Sequence, residues 1–406
     1  MVWCNRHQDE RTAEKMSTQD AVIVGWAHSP FGKLEAADIE ALIGLVGGQA
    51  LAHAGLDACD VDLVTIGVLN SGFSKQGFEA GLVSVAVPGL EQTAAMRTEN
   101  ACATGSAALY SALDAVSAGR ARVALVIGAE KMTATPTSKV GDVLLSASYR
   151  KEEDGVPAGF AGIFGQIADR YFQKYGDRSE ELAMIAAKNH ANGVHNPFAQ
   201  MRKDLGFAAC NTVSDRNPRV AGPLRRTDCS LISDGAAALV VANRDTAEDL
   251  ARAIAFRARA HRNDIMPLSR RDVTAFAGAR AAWDDAKTQA GIDLHDLDLV
   301  ETHDCFTMAE MIEYEAMGLT LPGEGWKAVR DGTTRKDGAL PVNPSGGLKS
   351  KGHPIGATGV SMHVLTAMQL MGEAGDMQIS NASLAGVFNM GGAAVTNYCS
   401  ILERVK

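Results

Sequence analysis

The sequence predicts an α/β protein made of two similar halves, with a long segment inserted into the first half. Three observations support this class. Short apolar runs alternate with helical segments, an eleven-residue pattern recurs, and the alternation is interrupted over residues 131–230. We therefore divide the chain into a leader, a first half in two pieces, a loop domain and a second half: residues 1–18, 19–130 with 231–248, 131–230, and 249–406.

The elements of the first half follow in order. A buried strand is predicted at residues 21–25, a helix at 41–56 and a strand at 60–69, and a glycine-containing loop leads through 80–98. A buried helix then ends near Gly119, followed by a strand at 122–130. Strands that alternate with helices predict a parallel sheet with helices on its faces. Within the inserted segment we expect a helical pair across 161–193, and the strand at 234–243 closes the half.

The second half repeats the first. AGLDACDVDLV at residues 54–64 matches AGIDLHDLDLV at 290–300 without a gap. Ala-Thr-Gly opens an apolar helix at residues 103–105 and again at 357–359. An internal duplication explains both matches in the same order, and it predicts that the two helix starts face one central site.

Composition excludes several classes of protein. The net charge is −9, and no stripe of Lys or Arg occurs, so nucleic acid and anionic membrane are poor partners. The seven cysteines are scattered without a C-x-x-C pair, which predicts free thiols in the cytoplasm rather than disulfides or structural zinc. No apolar stretch is long enough to span a membrane, and the charged N-terminus is unlike a signal peptide.

Cys102 is the first candidate for chemistry. It lies at or just before the first turn of the buried helix, where unpaired backbone N–H groups and the helix dipole favour thiolate. Gly105 and Ser106 follow, so that other backbone can approach closely. The alternative is a small apolar side chain in the core, which is the common fate of an intracellular cysteine.

Two further segments carry candidate residues. The stretch 342–359, VNPSGGLKSKGHPIGATG, places His353 between Gly352 and Pro354, where a constrained backbone would aim the imidazole. The second, 301–319, begins ETHDCF and places His303 and Cys305 at the carboxyl end of the repeated strand, where parallel sheets bind ligands. His303, Asp304 and Cys305 could also ligate a metal, but the short spacing makes this a weak interpretation, and packing remains the other alternative.

Together these segments resemble the thiolase superfamily, specifically the sterol-carrier-protein-type thiolases. The marks are a cysteine after Asn-Ala at a helix start, an H-D-C-F block, and a G-H-P loop. The resemblance covers residues 20–405 and includes NPFAQ at 196–200 and SDGAAALV at 233–240. It implies the thiolase fold, in which two duplicated α/β halves form a five-layer αβαβα arrangement with an inserted loop domain.

The resemblance also implies roles. Cys102 would carry the acyl group as a thioester. His353 would deprotonate Cys102 and donate a hydrogen bond to the thioester oxygen of the second substrate, while His303 would place the other donor. Phe388 stands where most thiolases have a second cysteine, so Cys305 is the expected substitute. The backbone N–H groups of Cys102 and of the turn at Met390 and Gly391 would form the oxyanion hole.

The implied activity is cleavage of 3-ketoacyl-CoA by coenzyme A, or the reverse Claisen condensation. No tightly bound cofactor and no metal are expected, and no Gly-rich phosphate loop occurs. The candidates for the coenzyme A phosphates are cationic side chains: Arg202, Lys203, Arg225, Arg226 and Lys349. We expect a homodimer or a dimer of dimers. The alternative is a thiolase-like lipid-transfer protein, or an aldolase or scaffold subunit that works with a small OB-fold partner.

Overall fold

The computed structural model describes residues 20–35 and 37–406, so the predicted leader lies outside the described residues. The described part of the first half contains four helices and five strands: β1 Ala21–His28, α1 Ile39–Ala54, β2 Leu63–Gly67, α2 Glu79–Ala86, β3 Ala94–Thr98, α3 Thr104–Ser117, β4 Val123–Glu130, and, after the inserted segment, β7 Gly235–Asn243 and α9 Arg244–Ala247.

The inserted segment and the second half complete the chain. The insertion is helical apart from a small hairpin: α4 Thr137–Leu144, α5 Arg150–Glu153, α6 Phe160–Tyr175, α7 Ser179–Gly193, α8 Gly206–Asn211, β5 Arg219–Ala221 and β6 Leu224–Arg225. The second half consists of β8 Ile254–Asn263, α10 Ala277–Ala290, β9 Leu299–Glu301, α11 Thr307–Ala316, α12 Gly325–Arg330, α13 Gly347–Lys351, α14 Ile355–Met371, β10 Leu384–Gly391 and β11 Thr396–Arg404.

The main sheet has the order β3-β2-β4-β7-β1-β8-β11-β10-β9. Counted outward from the centre, the strand order β1-β7-β4-β2-β3 of the first half corresponds to β8-β11-β10-β9 of the second half. An isolated parallel bridge between Val300 and Val342 lies beyond β9, where the second half would have its fifth strand. The predicted duplication is visible at finer scale as well. The turns before β2 and β9 carry the same reciprocal capping box, Asp57 with Asp60 and Asp293 with Asp296.

Two predictions about the sheet are wrong. The sheet is mixed rather than parallel, because β7 runs antiparallel to both β1 and β4 and β11 runs antiparallel to β8 and β10. The predicted loop over 80–98 contains most of α2 and the edge strand β3. Four of the five residues of β3 are exposed. The strand therefore lacks the apolar pattern by which buried strands are identified in a sequence.

Helices cover both faces of each half of the main sheet, and because α3 and α14 lie between the two halves the arrangement has the predicted five layers. Alternate residues of β4 enter two different cores: Val123, Leu125 and Ile127 pack with α1 and α2, whereas Ala124 and Val126 pack with α3. Helices α3 and α14 form the middle layer between the two halves, and α10 lies on the outer face of β8 and β11.

The two middle helices approach closely because each has a glycine at the contact. A Cβ on Gly105 would lie 2.7 Å from the backbone N of Val360, and one on Gly359 would lie 2.3 Å from the backbone N of Ser106. The predicted role of Gly105 is therefore confirmed, and the repeated Ala-Thr-Gly motif marks a symmetric helix crossing. Within the described part of the chain, no helix combines the length and the apolarity needed to cross a bilayer.

Candidate active site

Cys102 lies in a tight turn immediately before α3. The preceding residue, Ala101, has a φ of +50°, a left-handed conformation that costs a non-glycine residue free energy and is common at functional sites. Thr104 Oγ1 accepts a hydrogen bond of 2.8 Å from the backbone N of Asn100 and holds the turn. The backbone therefore presents the thiol in one orientation at the start of the helix.

Two histidines from the second half face this thiol. His303 follows β9 and His353 precedes α14, and the Cys102 sulfur and one ring nitrogen of each imidazole lie within 4.8 Å of one another. The two rings meet edge to face with their centroids 5.1 Å apart. The prediction that the two helix starts face one site is confirmed, since α3 and α14 come from opposite halves.

Burial controls the protonation of these groups. It raises the pKa of the Cys102 thiol to about 12. Hydrogen bonds from the backbone of Gly392 and of Cys102 itself lower this pKa, but by less than burial raises it. The expected preference for thiolate is therefore wrong for the free protein. The helix-end donors are present, but they are outweighed by the loss of water around the sulfur.

His353 is a neutral base in this site. Burial, with a contribution from the positive charge of Lys351, lowers the pKa of His353 to about 3. The Thr358 hydroxyl donates to the carbonyl of Pro354 at 3.0 Å, so its oxygen accepts from Nδ1–H of His353 at 2.7 Å. The other nitrogen, Nε2, then carries the lone pair, is buried, and has no hydrogen-bond partner among the described residues. It is available to take a proton.

We predict that alkylation of Cys102 by iodoacetamide in the free protein rises about tenfold per pH unit from about pH 7 to about pH 10, because only thiolate reacts. An unperturbed thiol, with a pKa of about 8.5, levels off above about pH 9. The measurement is the alkylation rate of the Cys102 peptide by mass spectrometry beside a free cysteine peptide. A plateau below about pH 8 would show a preformed thiolate–imidazolium pair and contradict the assigned protonation states.

Cys305 lies in the same cavity. This cavity has a volume of about 520 Å³ and is lined by Cys102, Cys305 and His353 together with mainly apolar side chains. Burial is the main cause that raises the pKa of the Cys305 thiol well above its usual range, and the nearby Cys102 sulfur adds to it. Cys305 is therefore protonated and able to give a proton to a carbon nucleophile formed in the cavity.

The inserted segment supplies most of the apolar wall. Val140, Leu144, Phe160 and Ala161 come from α4 and α6, and Leu231 and Ile232 follow the end of the insertion. A concave, largely apolar cavity with a few polar groups is typical of a site that binds a small molecule.

The residue after the two predicted oxyanion donors of the second half also approaches Cys102. The backbone N–H that faces the Cys102 sulfur from the second half belongs to Gly392 rather than to Met390 or Gly391. Met390 and Gly391 are paired with Asn397 and Thr396 within β10 and β11. Phe388 is fully buried and stacks on Trp283 in the core, with a centroid separation of 6.1 Å.

Two of the predicted phosphate contacts are contradicted. The Arg225 side chain is buried and donates to Asp228, Asn211 and the carbonyl of Ser179. Lys349 is 2% exposed and packs inside the protein. Both side chains are removed from solvent, where a phosphate would lie.

The other three cationic candidates remain accessible. Arg226 is exposed and lines the cavity that contains Cys102. Arg202 and Lys203 are exposed in the loop that follows α7.

Sequence reasoning missed three contributors to this site. Asn389 in β10 donates to the Cys102 carbonyl at 3.2 Å and contacts Nδ1 of His303 at 2.9 Å. Thr358 orients His353, and Gly392 faces the thiol. A polar residue within the apolar run of β10 was the available signal for Asn389. The roles of Thr358 and Gly392 depend on backbone geometry that the sequence does not display.

Comparison with known proteins supports the same family for both halves. The family model described as "Thiolase, N-terminal domain" matches residues 21–207, and the model described as "Thiolase C-terminal domain-like" matches residues 260–404. An acetyl-CoA acetyltransferase of Methanothermobacter thermautotrophicus is 35% identical over 95% of this chain and 100% of its own length. Sterol carrier protein 2 of Bos taurus is 32% identical over 92% of this chain and 70% of its own length.

Solved structures share the fold at lower identity. The structure of an "Ltp2-ChsH2(DUF35) aldolase" superposes with a TM-score of 0.80 at 21% identity and covers 95% of this chain and 98% of that chain. A monomeric SCP2-thiolase-like protein type 1 from Mycobacterium smegmatis has a TM-score of 0.73 at 18% identity, covering 96% of this chain and 78% of that chain.

Proposed function

Because this chain belongs to the thiolase family, we propose that it transfers acyl groups to and from coenzyme A through a thioester on Cys102. The observation that carries the proposal is the buried cluster of Cys102, His303 and His353, in which Cys102 and His353 line an apolar cavity. The substrate class is 3-ketoacyl-CoA in the cleavage direction and two acyl-CoA molecules in the condensation direction.

The cleavage reaction begins at the ketone carbon of the substrate. His353 takes the proton of Cys102 as the sulfur attacks, and the resulting oxyanion accepts hydrogen bonds from the backbone N–H groups of Cys102 and Gly392. The carbon–carbon bond then breaks, and its electron pair leaves as the enolate of the shorter acyl-CoA. The acyl group remains on the sulfur as a thioester.

Cys305 completes this half-reaction in our proposal. Its thiol donates a proton to the enolate carbon, which releases the shorter acyl-CoA. Free coenzyme A then attacks the Cys102 thioester, and its thiol proton passes to the Cys305 thiolate. The longer acyl-CoA forms as the Cys102 sulfur leaves and regains its proton from the protonated His353. Two similar displacements give ping-pong kinetics.

We predict that Cys305→Ala slows carbon–carbon cleavage by about 100-fold or more, because it removes the proton donor for the enolate. Acyl loading from a simple acyl-CoA should change little, since that step needs no proton at carbon. Rapid-quench measurement of the two half-reactions gives the split. Cys229→Ala is the control: it removes a third thiol from the same cavity and should slow neither half-reaction selectively. Equal losses of both half-reactions in Cys305→Ala would contradict the role of Cys305 as the proton donor.

The direct test of the proposed function uses a panel of 3-ketoacyl-CoA esters with free coenzyme A. Intact mass spectrometry should show an acyl adduct that maps to Cys102, and the shorter and longer acyl-CoA products should form in equal amounts. Absence of the adduct with every ester, in protein shown to be folded by circular dichroism, would reject the proposal.

Coenzyme A is a substrate rather than a resident cofactor in this proposal. Arg226 lines the cavity and is exposed, which supports a contact with its phosphates. Arg202 and Lys203 are exposed in the loop that follows α7, but neither lines the cavity. The unpaired thiols among the described residues support the cytoplasm, a reducing compartment, as the location.

We also propose a homodimer or a dimer of dimers. Edge strand β3 is exposed over residues 94–97. Three exposed apolar side chains lie on it or near it: Met96 on β3, Val85 on α2 and Phe78 immediately before α2. An exposed edge with apolar neighbours can pair with a second copy. Sedimentation velocity measures this state, and a monomer at micromolar concentration would reject it.

The second candidate, a lipid-transfer protein or an aldolase or scaffold subunit with a small OB-fold partner, has one supporting observation. One structural neighbour is named as an aldolase that joins Ltp2 with ChsH2(DUF35). The retained cluster of thiols and imidazoles favours acyl transfer instead, because lipid carriage and scaffolding need no nucleophile.

A further inference from the structure

Asn389 contacts both Cys102 and His303 without taking part in the proposed acyl transfer. The side chain is fully buried in β10. It contacts three elements that the site depends on: the carbonyl of Cys102, the hydroxyl of Ser106 at the start of α3, and Nδ1 of His303, at 3.2, 2.7 and 2.9 Å.

The orientation of its amide follows from its partners. A carbonyl oxygen can only accept, so the nitrogen of the amide faces Cys102. The amide oxygen correspondingly accepts from the Ser106 hydroxyl. One N–H of the amide nitrogen therefore donates to the backbone carbonyl of Cys102, and the other N–H points to Nδ1 of His303.

This contact determines which nitrogen of His303 holds the proton. Nδ1 must accept from the amide N–H, so it carries the lone pair, and the single proton of a neutral imidazole is on Nε2. Burial favours the neutral form, as it lowers the pKa of His303 well below its usual value. Nε2 is buried without a hydrogen-bond partner among the described residues, which leaves an unpaired N–H donor on the imidazole that faces the Cys102 sulfur.

The two imidazoles are thus opposites. His303 offers an N–H and His353 offers a lone pair, both at Nε2 and both unpartnered within the described structure. A metal ion would need a lone pair from each of them, so this arrangement suits one base and one hydrogen-bond donor rather than a three-ligand metal site.

We propose that Asn389 is a positioning residue that holds His303 in the Nε2–H tautomer, so that His303 itself donates to the carbonyl oxygen of the substrate thioester. The role of His303 towards a thioester rests on the proposed function, whereas the tautomer of His303 does not. This direct role replaces the expectation that His303 acts through another donor. The amide of Asn389 then contacts both the turn that carries Cys102 and the imidazole that donates to the substrate.

The first test reads the tautomer directly. Long-range ¹H–¹⁵N NMR of histidine-labelled protein, with His303 assigned by comparison with His303→Gln, should show a protonated Nε2 and an unprotonated Nδ1 at neutral pH. A protonated Nδ1 in the wild-type protein would overturn the inference. Because this experiment needs no variant of Asn389 and no activity, it remains decisive if that variant fails to fold.

The second test exchanges donor for acceptor. In Asn389→Asp the carboxylate cannot donate, so the proton of His303 should move to Nδ1, and kcat should fall by about 100-fold or more with a smaller change in KM. Ser106→Ala removes only the contact to the amide oxygen and should leave the tautomer unchanged. A retained Nε2–H tautomer in Asn389→Asp, or a shifted tautomer with wild-type kcat, would overturn the inference.

Failure of the proposed function would look different. If the wild-type protein shows the Nε2–H tautomer but forms no acyl adduct from any 3-ketoacyl-CoA, the tautomer assignment stands. In that case the role of His303 towards a thioester is rejected together with the proposed function.

Discussion

Cys102→Ala should lower 3-ketoacyl-CoA thiolysis by about 10⁴-fold or more, because it removes the atom that carries the acyl group. No other thiol in the cavity can replace it: Cys305 lies after β9 rather than at the start of α3, where the sulfur of Cys102 faces the backbone N–H groups of Gly392 and of Cys102 itself. The measurement is steady-state thiolysis together with intact mass after incubation with substrate, and neither the acyl adduct nor turnover is expected.

Cys210→Ala is the matched control. Cys210 is also a buried cysteine, but it lies in α8 of the inserted segment and packs with Ala183 and Ala186. The Cys210→Ala variant loses a comparable buried sulfur but should still form the acyl adduct and turn over substrate. Thiolysis within about tenfold of wild type in Cys102→Ala would reject Cys102 as the nucleophile.

His353→Asn should lower kcat/KM by about 10²–10⁴-fold, the range expected for loss of a general base. The pH dependence gives a sharper result than the size of the loss. His353 has a lowered pKa of about 3 and is neutral above it, so wild-type kcat/KM should show no loss from protonation of this group between about pH 5 and pH 8.

The variant should behave differently. Without the base, reaction requires the small fraction of Cys102 thiolate, and a thiol pKa of about 12 makes that fraction rise about tenfold per pH unit through this range. His363→Asn is the control, since His363 is also a buried neutral histidine, on α14, bonded to Gly359 and Ser400. A pH-independent rate in His353→Asn would exclude His353 as the base.

Much of the architecture was predictable from local patterns. The strands at β1, β2, β4 and β7 are continuous apolar runs, and α1, α3, α6 and α7 have clear helical composition. The repeat at 54–64 and 290–300 predicted the duplication, because the same turn and capping chemistry produces the same structure twice. Edge strand β3 and the antiparallel pairs were not predictable, since exposure removes the apolar pattern and strand direction depends on distant partners.

The candidate residues divide in the same way. Cys102 was identified at a helix start and His353 in a constrained loop, while His303 and Cys305 were identified at the carboxyl end of the repeated strand. The protonation states of these residues were not identified, since the Cys102 pKa depends on how completely water is excluded rather than on its position at a helix start. The cationic residues Arg225 and Lys349 show the same limit, because no local pattern says that these side chains are buried.

The order of residues along the chain determines which elements form and which side chains are chemically suited to acyl transfer, because backbone preference and side-chain chemistry are local. Folding decides how those side chains act. The contact of Asn389 with both Cys102 and His303 joins residues 287 and 86 positions apart. Such contacts exist only after α3, β9 and β10 pack together and exclude water, and they determine which nitrogen holds a proton and whether a sulfur is charged.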